Sequence, residues 1–292
     1  MGVLTMNNSQ NRDIRARVAL ETLKILESGY YTNHLGTTID INEDLKIAIN
    51  NTVLYKPNTF ANIEDEHEKI RNEKEPKMSN IEITDETTIC AARRLVADEG
   101  FDKVVCLNFA SAKNPGGGFL SGSQAQEESL ARSSGLYPCI SQMKEMYDYN
   151  WGIKTCLYSD YMIYSPKVPV FRDDNNKLLN EAFLTSFITA PAVNAGVVME
   201  REKGSTEKIH SVMINRIKKI LLIAALNNNK AIVLGAYGCG VFRNKAEDVA
   251  EYFRKVLNED GYKLLFDKVV FAIYDNAVDK SKIRVFERAL LY

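Results

Sequence analysis

Histidine and cysteine are scarce in this chain, and neither forms a recognisable motif. The three histidines, His34, His67 and His210, are far apart and form no HExxH pair. The five cysteines have wide spacings and no CxxC, so we expect neither a disulfide framework nor a cysteine zinc site. Cys106 and Cys239 lie in apolar or glycine-rich runs, which is typical of buried, reduced cysteines in a cytoplasmic protein. We predict no metal and no cofactor.

The chain also lacks a net charge and a long apolar run. Its 37 Lys and Arg nearly balance 38 Asp and Glu, which leaves a formal charge of -1 and no global attraction to nucleic acid or membranes. No run of about 18 apolar residues predicts a transmembrane helix, and residues 1–17 do not resemble a signal peptide. We expect a monomer without a membrane partner. Any anionic ligand must then be bound by a local basic group or by backbone amides.

Strands and helices alternate over residues 80–292. Strand patterns occur at 80–84, 103–109, 186–190, 231–234 and 268–274. Helical patterns occur at 87–97, 207–227, 246–257 and 280–290. This alternation predicts an α/β domain with a largely parallel sheet. The apolar run 103–109 predicts a strand buried on both faces.

The first 75 residues have a different sequence pattern, without regular alternation of strands and helices. Residues 1–12 are expected to be disordered, 13–28 to form a helix, 52–55 a short strand, and 64–77 a solvated helix ending in a loop. We therefore divide the chain into an N-terminal helical extension, residues 1–75, and a core, residues 76–292, which together form one compact unit.

A run of three glycines, residues 116–118, follows the strand at 103–109. Ligands of open α/β sheets bind beyond the carboxyl ends of strands, and glycines let backbone N–H groups approach a phosphate or sugar closely. The alternative is a flexible turn without a ligand. The loop has neither the Lys-Ser/Thr ending of a Walker A motif nor the GxGxxG spacing, which disfavours kinase-like and dehydrogenase functions.

Two adjacent glutamates, Glu127 and Glu128, stand where the next helix is predicted to begin. On a helix they point about 100° apart, so only one faces a ligand squarely. Most glycosidases instead place two carboxylates across the bond; here a single carboxylate would act first as acid and then as base. Alternatively, the pair only favours the helix dipole, with Glu128 and Arg132 forming a solvated ion pair.

A second glycine-rich loop, residues 235–242, follows the strand at 231–234 and precedes a helix. Backbone amides in this arrangement suit a diphosphate, although a tight strand-to-helix connection without a ligand is the alternative. Two more strands end in candidate residues: Asn194 in a turn that could line the same cleft, and Tyr274, which could stack on a base or pack in the sheet.

These segments together resemble the microbial type of poly(ADP-ribose) glycohydrolase. Residues 114–119 and then 126–128 are similar to the GGG…QEE signature of that family. Further similar segments are 87–94, 191–196 and 235–242, and the resemblance extends over roughly 14–290. Two positions depart from the family pattern: Tyr237 stands where tryptophan is expected, and Val193 where proline is expected.

The resemblance implies a macrodomain-like mixed sheet flanked by helices, with an N-terminal helical extension. It implies hydrolysis of the ribose–ribose O-glycosidic bond of poly(ADP-ribose), carried on ADP-ribosylated macromolecules, with release of ADP-ribose. Two alternatives share the cleft: a mono-ADP-ribosyl hydrolase, and a non-hydrolytic ADP-ribose-binding macrodomain. The latter has no need of Gln126, Glu127 and Glu128.

The resemblance also implies roles for individual residues. Glu128 is the acid and base, Glu127 positions the ribose, and Phe242 orients the distal ribose. The implied substrate-binding set is Asn114, Gly116, Gly117, Gly118, Phe119, Gln126, Asn194, Gly235, Tyr237, Gly238, Cys239, Gly240, Val241, Phe242 and Tyr274.

Overall fold

A computed structural model describes residues 8–60, 62–73 and 79–292. The helices are α1 (Asn8–Ser28), α2 (Asn42–Asn50), α3 (Ile63–Glu73), α4 (Thr88–Arg93), α5 (Gln126–Ser133), α6 (Leu136–Ser141), α7 (Lys144–Gly152), α8 (Ala195–Arg201), α9 (Lys208–Leu226), α10 (Ala246–Arg254) and α11 (Ser281–Leu290). The strands are β1 (Tyr30–Thr32), β2 (Thr38–Asp40), β3 (Val53–Tyr55), β4 (Asn80–Thr84), β5 (Val104–Phe109), β6 (Met162–Arg172), β7 (Leu178–Ala190), β8 (Ala231–Leu234) and β9 (Lys268–Ala272). Within the described ranges, no helix combines the length and apolar character needed to cross a membrane.

Seven strands form one mixed sheet in the order β3-β6-β7-β5-β8-β9-β4. The strands from β7 to β4 are parallel, whereas β6 and β3 are antiparallel to their neighbours. β1 and β2 form a separate antiparallel pair. Because β5 and β8 are parallel neighbours, their carboxyl ends meet at one edge of the sheet. The two glycine-rich loops therefore leave the sheet side by side.

Helices cover both faces of the sheet, and β5 lies at the centre of this sandwich. Val105 and Leu107 pack into an apolar cluster with side chains of α9, α10 and α11. Val104 and Cys106 point the other way, into a cluster with side chains of α4, α6 and α7. This alternation is the two-residue period of a strand, and it confirms the prediction that residues 103–109 are buried on both faces.

Several sequence-based boundaries are wrong. Helix α1 begins at Asn8, so residues 8–12 are helical rather than disordered, while residues 1–7 lie outside the described residues. Strand β6 was not predicted, because Pro166 and Pro169 interrupt its pattern and its pairing with β7 contains register shifts. β7 begins at Leu178, eight residues before the predicted start at 186. The loop expected to follow α3 falls on residues 74–78, outside the described residues.

The N-terminal segment packs on the core through α1. Phe119, on the turn between the glycine run and α5, is 1% exposed and lies in one apolar cluster with Ala19 of α1 and Ala131 of α5. Its ring also contacts Tyr137, with 4.7 Å between the ring centroids. Strand β3 adds a second connection, because it forms the edge of the main sheet. The division near residue 75 remains a prediction.

Polar contacts reinforce this packing. Arg12 Nε donates to the carbonyl oxygen of Ser121, and Arg15 Nε donates to that of Gly122, both at 2.8 Å. Gly122 approaches the backbone of α1 so closely that a Cβ there would lie 2.1 Å from the Arg12 carbonyl oxygen. Helix α1 thus fixes the turn that leads into the two glutamates.

We predict that Phe119→Ala lowers the free energy of unfolding by about 3–5 kcal/mol, because it leaves a cavity between α1 and α5. Urea denaturation monitored by circular dichroism measures the change. Leu120→Ala is the matched control: Leu120 is 44% exposed, and its truncation should cost less than about 0.5 kcal/mol. Equal losses in the two variants would contradict the packing described for Phe119.

Candidate functional site

The glycine run contacts the two glutamates directly. Gly117 has φ +59°, and a Cβ on it would lie 2.4 Å from Glu128 Oε1 and 3.3 Å from Glu127 Oε2. The N–H of Gly118 donates to Glu128 Oε1 at 3.0 Å. Glycine is therefore needed at residue 117 for two reasons, the left-handed backbone and the close approach of a carboxylate. The sequence pattern pointed to close approach of a ligand; the structure adds a contact within the protein.

Glu127 is the more buried of the two acids, with 3% of its surface exposed. Its Oε2 accepts from the N–H of Ser111 at 2.6 Å, and its Oε1 accepts from Asn108 Nδ2 at 3.3 Å. Burial raises the pKa of Glu127 to about 8, and the Glu128 charge adds to the rise against the opposing Ser111 N–H. At neutral pH the carboxyl group is therefore mostly protonated.

Glu128 is half-buried, and only its Oε1 accepts a hydrogen bond from the described part of the chain. The solvated ion pair with Arg132 considered above is absent from the described residues. Arg132 is 2% exposed and donates to the Ser123 carbonyl oxygen at 2.8 Å and to the Gln124 side chain. Glu128 thus keeps one carboxylate oxygen available beside the glycine loop.

Gln126 fastens the start of α5 to the end of β5. Its Oε1 accepts from the N–H of Phe109 at 2.8 Å. Its Nε2 donates to the Leu107 carbonyl oxygen at 2.7 Å and to Thr88 Oγ1 at 3.0 Å. All of its polar atoms are used inside the protein, so Gln126 sets the position of the adjacent glutamates.

A cavity of about 550 Å³ opens at the carboxyl edge of the sheet. Four of the predicted site residues line it: Gln126, Cys239, Gly240 and the 63%-exposed Tyr274. The described residues that line it also include Glu86, Thr87, Thr88, Phe109, Asp174, Asn175 and Lys282, but neither Glu127 nor Glu128. Through Gln126, the cavity reaches the start of the helix that carries both glutamates.

The second loop has open backbone donors. Within the described chain, the N–H groups of Gly240 and Val241 donate no hydrogen bond to the protein. Val241 is 79% exposed, and Phe242 packs against Tyr158 with 5.8 Å between the ring centroids. Such free amides at a loop before a helix suit an anionic ligand.

Two of the implied substrate-binding side chains point into the core instead. Tyr237 is fully buried, and its hydroxyl donates to the Ala190 carbonyl oxygen at 3.1 Å. Phe119 is buried under α1, as described above. In both cases an aromatic residue next to a glycine loop fills the space beneath that loop. Neither side chain faces the cleft in this structure, and their place in the implied substrate-binding set stays a prediction.

The turn at 191–196 is hydrogen-bonded to the second loop; its expected place in the lining of the cleft stays a prediction. The N–H of Gly196 donates to the Phe242 carbonyl oxygen at 3.0 Å, and Asn244 Nδ2 donates to the Val193 carbonyl oxygen at 2.8 Å. Asn194 caps α8, since its side chain accepts from the N–H of Val197.

The remaining predicted site residues lie on the two glycine-rich loops. Gly235 and Gly238 belong to the second loop, whereas Asn114 is exposed on the first loop.

Sequence reasoning missed several residues of this region. Asn108 and Ser111 hold Glu127, and their position at the end of β5 next to the glycine loop was an available signal. Tyr158 adopts φ +57° and interacts with the Asn194 side chain. No local sequence pattern predicts either the backbone conformation or this contact. Asp174 reaches the cavity from the turn between β6 and β7, where Thr87 Oγ1 donates to it at 2.6 Å.

The buried Glu127 predicts a specific pH dependence of stability. Between its ordinary pKa of 4.5 and about 8, the folded protein holds a proton that the unfolded chain releases. The free energy of unfolding is therefore highest, as far as Glu127 is concerned, at low pH, and it falls as pH rises from 4.5 to about 8. We expect Glu127→Gln to gain stability relative to the wild type between about pH 5 and about pH 8. Urea denaturation of both proteins across this range measures the difference, and parallel profiles would show that the folded pKa is not raised.

Residues 19–173 match the family described as the microbial-type PARG catalytic domain, where PARG denotes poly(ADP-ribose) glycohydrolase. The comparison with curated proteins gives no match.

Solved structures are similar over nearly the whole chain. Poly(ADP-ribose) glycohydrolase from Thermomonospora curvata is 42% identical, with a TM-score of 0.89 over 95% of this chain and 100% of that one. The same protein bound to the inhibitor ADP-HPD is 42% identical, with a TM-score of 0.86 over 94% and 99%. The Deinococcus radiodurans enzyme in complex with ADP-ribose is 40% identical, with a TM-score of 0.78 over 84% and 96%. The chain belongs to the microbial-type poly(ADP-ribose) glycohydrolase family.

Proposed function

We propose that this protein hydrolyses the ribose–ribose O-glycosidic bond of poly(ADP-ribose) and releases ADP-ribose. The observation that carries the proposal is the state of Glu128: one oxygen is held by the Gly118 N–H, and the other is left available. Membership of the family supports the substrate class.

In this mechanism Glu128 is the acid and then the base. Its carboxyl group donates a proton to the 2′ oxygen of the leaving adenosine ribose, and the C1″–O2′ bond breaks. An oxocarbenium-like centre forms at C1″ of the distal ribose. The Glu128 carboxylate then removes a proton from a water molecule, whose oxygen forms the new bond to C1″.

Glu127 supports this step from the buried side. Its anchors at Ser111 and Asn108 fix its carboxyl group below the glycine run. In its protonated form it carries an O–H donor for a ribose hydroxyl, and it adds no second negative charge beside Glu128.

The second loop binds the diphosphate. The free N–H groups of Gly240 and Val241 supply the donors, and the cavity beside them takes the adenosine part of the distal ADP-ribose. Tyr274 and Phe109 offer aromatic surface in that cavity. Phe242, held against Tyr158, borders the distal ribose.

We also propose that the protein acts as a monomer in the cytoplasm. The five cysteines are free, which agrees with a reducing compartment.

Hydrolysis of mono-ADP-ribosyl groups and binding without hydrolysis are the two other functions that this cleft permits. Incubation with poly(ADP-ribose) and, separately, with a mono-ADP-ribosylated protein, followed by thin-layer chromatography of free ADP-ribose, separates the three. Release from the polymer alone is expected. Release from the mono-modified protein alone, or from neither, would overturn the proposal.

We predict that Glu128→Gln lowers turnover of poly(ADP-ribose) by at least ~10²–10⁴-fold, because the amide can neither give nor take the proton. ADP-ribose binding, measured by calorimetry, should persist. Glu43→Gln, an exposed change on α2, is the matched control and should keep full activity. Near-normal turnover by Glu128→Gln would reject its role as the acid.

A further inference from the structure

An exposed tryptophan is tied to the loop that holds the two glutamates. Trp151, at the end of α7, is the chain's only tryptophan and is 60% exposed. Its Nε1–H donates to the carbonyl oxygen of Lys113 at 2.8 Å. The Lys113 ammonium in turn lies 4.9 Å from the centre of the indole ring. A large aromatic surface is thus held in one orientation and left open to solvent.

The hydrogen bond to Lys113 connects Trp151 to the site described above. Lys113 lies two residues after Ser111, whose N–H donates to Glu127. It is also next to Asn114, whose carbonyl oxygen accepts a hydrogen bond from the N–H of Gly117. The indole ring is therefore attached to the same nine-residue loop, 110–118, that receives both carboxylates.

Lys113 also lies near the segment that carries Cys156 and Tyr158. Burial raises the pKa of the Cys156 thiol, and the Lys113 ammonium is near enough to oppose that rise. Cys156 interacts with Tyr158, whose ring packs against Phe242. Trp151 and Lys113 do not line the cavity of about 550 Å³; instead they are attached to the loop 110–118 that contacts the two glutamates.

We propose that Trp151 and Lys113 form a binding site for the leaving group. The adenine of the ADP-ribose unit that carries the departing 2′ oxygen stacks on the indole ring, and the diphosphate of that unit faces the Lys113 ammonium. The inference rests on the proposed function, since it needs a polymer substrate.

The chemistry of the substrate favours this occupant. The departing 2′ oxygen belongs to an adenosine, so an adenine is joined to the same ribose and must lie close to Glu128 during reaction. Aromatic side chains stack on bases of any sequence, and a lysine ammonium attracts phosphate oxygens. The distal ADP-ribose occupies the cavity and the second loop, so it leaves the indole ring free.

The test compares substrates with and without an adenosine leaving group. For Trp151→Ala, kcat/KM on poly(ADP-ribose) should fall roughly tenfold, the effect of losing one stacked base. On an ADP-ribosyl glycoside with a nitrophenol leaving group, kcat/KM should be unchanged, as should the Kd for ADP-ribose. Trp151→Phe loses the hydrogen bond to Lys113 but keeps an aromatic ring, and it should retain most of the polymer activity.

Tyr149→Ala is the matched control. Tyr149 lies on the same helix and is 48% exposed, but its ring packs against Tyr161 and it points about 200° away from Trp151 around α7. Its activity on both substrates should equal that of the wild type.

Fluorescence gives an independent readout, because all tryptophan emission comes from Trp151. In a Glu128→Gln background, a dimer of ADP-ribose should quench the emission, whereas ADP-ribose alone should not. Unchanged polymer activity in Trp151→Ala, or equal losses on both substrates, would overturn the leaving-group site. A wild-type protein that fails to release ADP-ribose from the polymer would instead overturn the proposed function.

Discussion

The close contact of two adjacent acids, Glu127 and Glu128, with the glycine run 116–118 is the constraint on which this site depends. Neither Glu127 nor Glu128 forms an ion pair among the described residues. Backbone N–H groups bind each carboxyl group, and the buried Arg132 guanidinium is near enough to interact with the Glu128 charge. The Ser111 and Gly118 amides serve one acid each. That arrangement requires the backbone to come within contact distance of a carboxylate, and Gly117 makes this approach sterically feasible. The burial of Glu127 then keeps it protonated, which limits the negative charge at the site to that of Glu128.

The sheet order brings the other half of the site to this turn. The adjacent carboxyl ends of β5 and β8 place the two loops side by side, and α9 secures the segments around them. Arg216 of α9 is 1% exposed and donates to the carbonyl oxygens of Leu157 and Pro191, and it pairs with Asp160. A single buried guanidinium thus fixes the segment that carries Tyr158 and the turn that carries Asn194.

Much of this could be predicted from the sequence, and the failures have physical reasons. The strands observed at 104–109, 231–234 and 268–272 were identified because apolar runs between charged or glycine-rich segments are local signals, and the strand at 80–84 was identified from its alternation of apolar and polar residues. The alternation of strands and helices predicted the α/β class with a largely parallel sheet, whereas the mixed sheet was implied by the family resemblance. Which way an aromatic side chain faces is not a local property, so the burial of Tyr237 and Phe119 beneath their loops became visible only in the structure. Strand β6 and the cavity residue Asp174 depend on pairing across the chain, which periodicity does not encode. The roles assigned to Glu128, Glu127 and the second loop remain predictions.

The contact of α1 with the turn before α5 bears on where this domain begins. The family match starts at residue 19, yet Arg12 and Arg15 lie before it and bind the carbonyl oxygens of Ser121 and Gly122. These two arginines are seven and four residues outside a boundary drawn by family similarity alone. The residues that hold the glutamate turn therefore extend beyond those that the family model matches, and α1 supports this turn from the N-terminal side.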